Sequence, residues 1–152
     1  MKFKFVSNIK QDEQLVKIIT HPNNEKEIRK LLGDEKYIQL IDYRTNNYVN
    51  TSVREIECIT SFTHVSKVKL IDNKEFLIKG RLKELEYLKS YKMFRINNQQ
   101  IININKINNY SIDKGSRIVI GCVSGSEYRE SRHYAKAIKE ELTCGIILAI
   151  VL

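Results

Sequence analysis

The chain has 152 residues, 42% of them hydrophobic and 29% charged, and its formal net charge is +8. This length fits one ordinary domain with a short appendage and excludes two full-sized domains, while the apolar content excludes a disordered chain. The positive charge favours a polyanionic partner, because clustered lysines and arginines release counterions from phosphates; a basic protein without such a partner is the alternative. Residues 51–152 hold 17 Lys/Arg against 11 Asp/Glu, so most of the excess lies there.

Residues 1–35 predict a short β-α extension. Phe3 and Phe5 alternate with lysines, which is the period-two pattern of a half-buried strand. A helix is predicted next, because Asn24 and Glu27 have capping spacing and apolar residues recur at helical spacing up to the stop signal Gly33. We expect this extension to take part in dimerisation.

Residues 36–142 begin with short apolar alternations separated by turn residues, which predict successive strands. Asp72 and Asn73 mark the turn of a hairpin. A short helix is predicted after Gly80, with Leu82, Leu85 and Leu88 on one buried face.

Two further β segments are predicted, from Phe94 to Ile107 and from Arg117 to Cys122. Ser131 is the expected N-cap of a helix that runs to Leu142. The last residues, 143–152, form an apolar tail that is too short to span a bilayer, which needs roughly 20 apolar residues. We expect this tail to be a buried terminal strand or a dimer contact, with contact to a membrane surface or another partner as the alternative.

The segment Met93–Ile107 has the sequence MFRINNQQIININKI and resembles the central motif of the LytTR DNA-binding family, which reads roughly F-x-R-I-x-x-S-x-I-V-N-x-x-x-I.

 The segment matches the motif at the Arg, Ile and Asn positions, which are Arg95, Ile96, Ile101, Asn103 and Ile107 in this chain. The context is in the family order: a strand at Ile56–Ile59, a leucine helix upstream, and a helix start at Ser131 downstream.

The resemblance covers residues 36–142 and implies a mainly β domain with short helices (α+β), preceded by the β-α extension. It departs from the family pattern at two places. Gln99 stands where the family often has serine, and Arg129 and Glu130 stand where apolar strand residues are common, which leaves the final strand undetermined.

The resemblance also implies a transcription regulator that binds duplex DNA with loops and strand edges, reaching two major grooves and the minor groove between them. Three groups of residues near loops, 63–67, 97–98 and 132–133, carry donors that suit phosphates or base edges. Arg95 and Lys106 are two further cations, which we expect to be phosphate or structural contacts. The candidate DNA-binding residues are His64, Ser66, Lys67, Arg95, Asn97, Asn98, Lys106, Arg132 and His133. Each has a structural alternative: the histidine, serine and asparagines are also turn formers, and Arg132 and His133 also suit a solvated first helical turn.

The expected partners are duplex DNA and a second copy of the chain. Stand-alone members of the family are often paired with a small integral membrane protein, so the resemblance implies such a protein as a further partner. A non-catalytic module that docks to another protein is the rival function, and an RNA-binding sheet would need an aromatic stacking motif that the sequence lacks.

We expect no enzymatic activity, cofactor or metal, because the common catalytic motifs are absent and the three histidines have no acidic partners in a recognisable arrangement. Cys58, Cys122 and Cys144 form no CxxC pair, which suits a reducing compartment. The N-terminus shows no apolar segment of signal-peptide length, so we expect a cytoplasmic protein.

Overall fold

The computed structural model describes residues 2–10, 16–32, 36–112, 114–115 and 117–151, and it gives no side-chain burial for Lys30 or for residues 143–151. The chain divides into two compact units, residues 1–34 and residues 35–152.

The first unit contains one helix, α1, which spans Pro22–Leu32, among its described residues. The helix begins two residues before the predicted cap Asn24, because the fixed φ of proline suits the first helical position. The predicted strand at Phe3 and Phe5 is wrong: residues 2–8 are not in a strand, and both phenylalanines are exposed. A single short strand needs partners for its backbone groups. The predicted stop at Gly33 lies outside the described residues.

The second unit contains a seven-stranded antiparallel sheet, the first sheet, in the order β2-β1-β5-β4-β3-β7-β6. Its strands are β1 Tyr37–Asp42, β2 Asn47–Ser52, β3 Ile56–Phe62, β4 Val65–Leu70, β5 Glu75–Lys79, β6 Met93–Arg95 and β7 Gln100–Asn103. The hairpin predicted around Asp72 and Asn73 is confirmed as β4–β5, with Asn73 in the left-handed region.

The leucine row packs against one face of the first sheet, as predicted. The segment Leu82–Tyr91 is a 3-10 helix, and a helix with three residues per turn places leucines spaced by three directly above one another. Leu82, Leu85 and Leu88 are at most 3% exposed and belong to the same core cluster as Leu40, Ile59 and Val68.

A second sheet of three strands and the C-terminal helix complete the domain. The strands are β8 Ile107–Ile112, β9 Ile118–Cys122 and β10 Glu127–Glu130, in the order β10-β9-β8, and the helix α2 spans Arg132–Val151. A second apolar core joins Phe94 and Ile102 of the first sheet to Ile120 of β9 and Ile138 of α2. The strand before Ser131, undetermined from the sequence, therefore forms.

Glu57 joins the two sheets through a buried hydrogen-bond network. Its side chain is fully buried, and it accepts from the Ser124 N–H (3.1 Å), the Ser124 hydroxyl (2.8 Å) and the Tyr128 hydroxyl (2.8 Å). Ser124 lies in the turn between β9 and β10. The Glu57 side chain thus connects β3 to the β9–β10 turn and to β10 of the second sheet.

The predicted terminal strand in the tail is wrong, because α2 continues from Arg132 through Val151. An apolar run of this length has no periodicity that separates a buried strand from a helix. Within the described part of the chain, no helix combines the length and apolar character that crossing a bilayer requires.

Candidate nucleic-acid interface

The register of the first sheet brings several chain connections to one end of the domain. The turn after Phe62 leads from β3 into β4, and β7 begins beside the end of β3, where Gln100 pairs with Thr60. β5 ends at the same place, because Lys79 pairs with Val65 at the start of β4.

The start of α2 joins this end through the connection between β6 and β7, residues 96–99. The Ser131 N–H donates to the carbonyl of Ile96 (2.8 Å), and the Asn97 side-chain amide donates to the carbonyl of Arg129 (2.9 Å). On the other side of this loop, the carbonyl of Gln99 accepts a hydrogen bond from the N–H of Ser61 in β3 (2.7 Å). We call residues 63–64, 80–81, 96–99, 114–115, 117 and 129–134 the loop end.

His64 occupies the tip of the β3–β4 hairpin. The preceding residue, Thr63, has φ +53°, and His64 is exposed. The His64 Nδ1 lies 3.5 Å from Arg81 Nη2. Arg81 is placed by its backbone N–H, which donates to Glu84 Oε2 (2.9 Å) at the start of the 3-10 helix. The hairpin tip therefore presents an imidazole and a guanidinium together.

Asn97 and Asn98 have different environments. Asn97 holds the 96–99 loop, because its Oδ1 accepts from the Gln99 N–H (2.8 Å) and its Nδ2 donates to Gln100 (3.0 Å) as well as to Arg129. Asn98 is exposed, and its Oδ1 lies 3.4 Å from the Tyr134 hydroxyl. Asn98 is thus the member of the pair that faces solvent.

Arg95 supports the loop from behind. Its Nη2 donates to the carbonyl of Asn98 (2.8 Å), its guanidinium lies 5.6 Å from the Tyr134 ring centre, and Glu86 is 3.7 Å away. Its side chain is only 21% exposed. These contacts make Arg95 a residue that positions Asn98.

Three arginines line a groove of about 550 Å³ beside this loop. Arg117 precedes β9, Arg129 belongs to β10, and Arg132 opens α2. His133, the next residue of α2, is exposed and lies edge-on to Tyr134 with ring centres 4.8 Å apart. The groove therefore concentrates positive charge where a phosphate chain would cross the loop end.

Glu130 also lines this groove, although its side chain is only 5% exposed. Burial raises the pKa of Glu130 to about 7, against the opposing effect of Lys139. Near neutral pH the carboxyl is therefore only partly ionised, which limits the negative charge that it adds beside the arginines.

Three sequence-predicted candidates do not reach the loop end as donors. Ser66 is fully buried and its hydroxyl donates to the carbonyl of Gly80 (2.8 Å), so its assignment as a DNA contact is corrected to a structural one. Lys67 forms an ion pair with Glu75 (2.8 Å), which raises the pKa of Lys67. Lys106 lies at the opposite end of β7, in the 3-10 helix Ile104–Lys106.

Arg81, Arg117 and Arg129 were not among the sequence candidates. Arg117 and Arg129 are brought together by the pairing of Glu130 with Ile118, which places the end of β10 beside the start of β9. That register is a long-range property, and local composition does not predict it. Within the described residues, no group of three His, Cys, Asp or Glu side chains is arranged to hold a metal ion.

A family model described as the LytTr DNA-binding domain matches residues 46–143. The chain belongs to this family. The matched range contains the loop end and excludes the first unit, and it begins ten residues after the start of the resemblance stated over residues 36–142. The LytTr domain is a DNA-binding domain, so the function class predicted from the sequence is confirmed at that level.

A solved structure shares the LytTr fold. It is described as the LytTr DNA-binding domain of a methyl-accepting/DNA response regulator from Bacillus cereus, and it superposes with a TM-score of 0.62 at 20% identity, covering 72% of this chain and 98% of that one. The predicted fold class, mainly β with short helices, is confirmed. No curated protein gives a significant match.

Proposed function

We propose that this LytTr protein is a cytoplasmic transcription regulator that recognises a specific duplex sequence through its loop end. The observation that carries this proposal is the convergence of three exposed donors, His64, Asn98 and Arg132, on one end of the domain. Carboxamide and guanidinium groups have the donor geometry to distinguish base edges, and imidazole offers one further donor or acceptor.

The connections suggest an order along the DNA. The 96–99 loop is bonded to β3 on one side and to Ser131 on the other, so Asn98 lies between the hairpin tip and the start of α2. In this arrangement Asn98 faces the minor groove, and His64 and Arg132 face the major grooves on either side. Arg81, Arg117, Arg129 and His133 contact phosphates around them.

Two protomers bind one regulatory site, because one small domain buries little surface for tight specific binding. The first unit supports this step, since it carries exposed apolar side chains that a second copy can cover, among them Phe5, Val6, Ile9 and Leu31. The preferred DNA is therefore expected to contain two short repeats.

The test compares a duplex selected from a randomised pool with a scrambled duplex at two salt concentrations. His64→Ala, Asn98→Ala and Arg132→Ala are each expected to cost about 1–3 kcal/mol on the selected duplex and less on the scrambled one. Arg117→Ala and Arg129→Ala are expected to weaken both duplexes equally and to reduce the salt slope by about one unit each.

Lys74→Ala is the matched control, because Lys74 is an exposed lysine in the turn at the other end of the β4–β5 hairpin. It is expected to change neither affinity nor selectivity. A wild-type chain that binds no duplex at low salt contradicts the proposed function. Equal losses on both duplexes for His64, Asn98 and Arg132 contradict base reading and leave only electrostatic contacts.

A further inference from the structure

A cleft opens in the first sheet where β1 and β5 separate. These neighbouring strands share one register pair, Ile41 with Leu77, and beyond it lies a cleft of about 400 Å³. Three tyrosines and two lysines line this tyrosine cleft: Tyr37, Tyr48, Tyr87, Lys36 and Lys79. The tyrosines are each more than half exposed.

The cleft continues the loop end. Lys79 pairs with Val65, one residue after His64, and the chain leaves β5 through Gly80 into Arg81, which contacts His64. Arg81 at the hairpin tip and Lys79 in the cleft are therefore separated along the chain only by Gly80.

The charges in the cleft are not neutralised by carboxylates among its lining residues in the described part of the chain. Lys79 Nζ lies 5.8 Å from the centre of the Tyr48 ring, which holds the ammonium in place and leaves its charge available to an anion. Lys67 and Lys74, elsewhere on the same hairpin, differ in this respect because they face Glu75 and Asp72.

We propose that the tyrosine cleft holds the sugar–phosphate backbone of duplex DNA that flanks the sequence contacted by the loop end. Lys36 and Lys79 contact phosphates, and the tyrosine hydroxyls are additional donors to the same backbone. This inference rests on the proposed function and extends it, because it assigns to the chain a contact that carries no base sequence and depends on the length of the DNA.

The experiment uses the full chain and a selected duplex that carries a single repeat of the site, so that one protomer is bound and the two flanks are not equivalent. The duplex is trimmed to the protected core and compared with versions extended by about one helical turn, roughly 10 base pairs, on either side. Lys36→Ala/Lys79→Ala is titrated on each duplex at 50 and 200 mM salt, with Lys74→Ala as the control and circular dichroism as the check on folding.

On the duplex extended at the flank beside the hairpin tip, the double variant is expected to lose about 1.8 units of salt slope, about 0.9 for each lysine. The advantage of the wild type over the variant therefore shrinks about 12-fold between the two salt concentrations. On the trimmed duplex and on the duplex extended at the other flank, the two proteins are expected to bind alike.

Equal slopes on every duplex overturn the inference, and so does the same loss of slope on the trimmed core. The latter result would place the lysines at the core contact or show that they act through the fold. In both cases specific binding of the trimmed duplex by the wild type still supports the proposed function, so the two failures are distinguishable.

Discussion

Replacing Glu57 by alanine removes the acceptor that joins the second sheet to the first. Three donors lose their partner: the N–H and hydroxyl of Ser124 and the hydroxyl of Tyr128. A buried donor without an acceptor costs about 1–3 kcal/mol, and water that enters the vacated space recovers part of the sum. We therefore expect Glu57→Ala to lower the free energy of unfolding by about 3–5 kcal/mol, a large share of the stability of a small domain.

The assay is urea unfolding followed by circular dichroism, with two graded controls. Ser124→Ala removes one hydroxyl donor and keeps the N–H, so we expect a loss of about 1–2 kcal/mol. Glu57→Gln keeps the size of the side chain and turns one acceptor into a donor, so we expect an intermediate loss. If Glu57→Ala costs less than about 1 kcal/mol, the network contributes little and apolar packing alone holds the sheets together.

The remaining predictions concern buried titratable groups. The pKa of Glu130 is raised to about 7 from 4.5 by burial, so the folded state binds the proton more tightly and loses stability as pH rises between these values. Glu130→Gln should therefore raise the free energy of unfolding at pH 8 by about 1–2 kcal/mol more than at pH 4.5, as measured by urea unfolding; an equal effect at both would contradict the shift. Burial also raises the pKa of Cys58 and of Cys122 to about 12. Iodoacetamide at pH 8 should leave both thiols unmodified in the native protein and alkylate both in urea, as read by peptide mass mapping; rapid native labelling would contradict their burial.

The parts of the fold that the sequence predicted correctly depend on local periodicity. Alternation identified the β4–β5 hairpin, and the spacing of three in Leu82, Leu85 and Leu88 matched one buried line. The prediction of a strand at Phe3 was wrong because a period-two pattern does not provide the neighbouring strand to which a strand must hydrogen-bond. The prediction of a terminal strand in residues 143–152 was wrong because a uniformly apolar segment has no periodicity that distinguishes a strand from a helix.

The candidate site was predicted in part for the same reason. His64 and Arg132 occupy a turn and a helix start, which local signals mark well. Ser66 was misassigned although it shares the face of Val68 and Leu70, and alternation along β4 already places that face in the core. Arg117 and Arg129 meet only through the pairing of β9 with β10.

The φ of +53° at Thr63 has a consequence for the hairpin tip. A β-branched residue in the left-handed region carries conformational strain of about 1–2 kcal/mol, which the paired strands on both sides must hold in place. The backbone of the tip is therefore held in this conformation by the hairpin in the free protein. In the proposed complex, the backbone that carries His64 then loses little further conformational entropy when His64 contacts DNA.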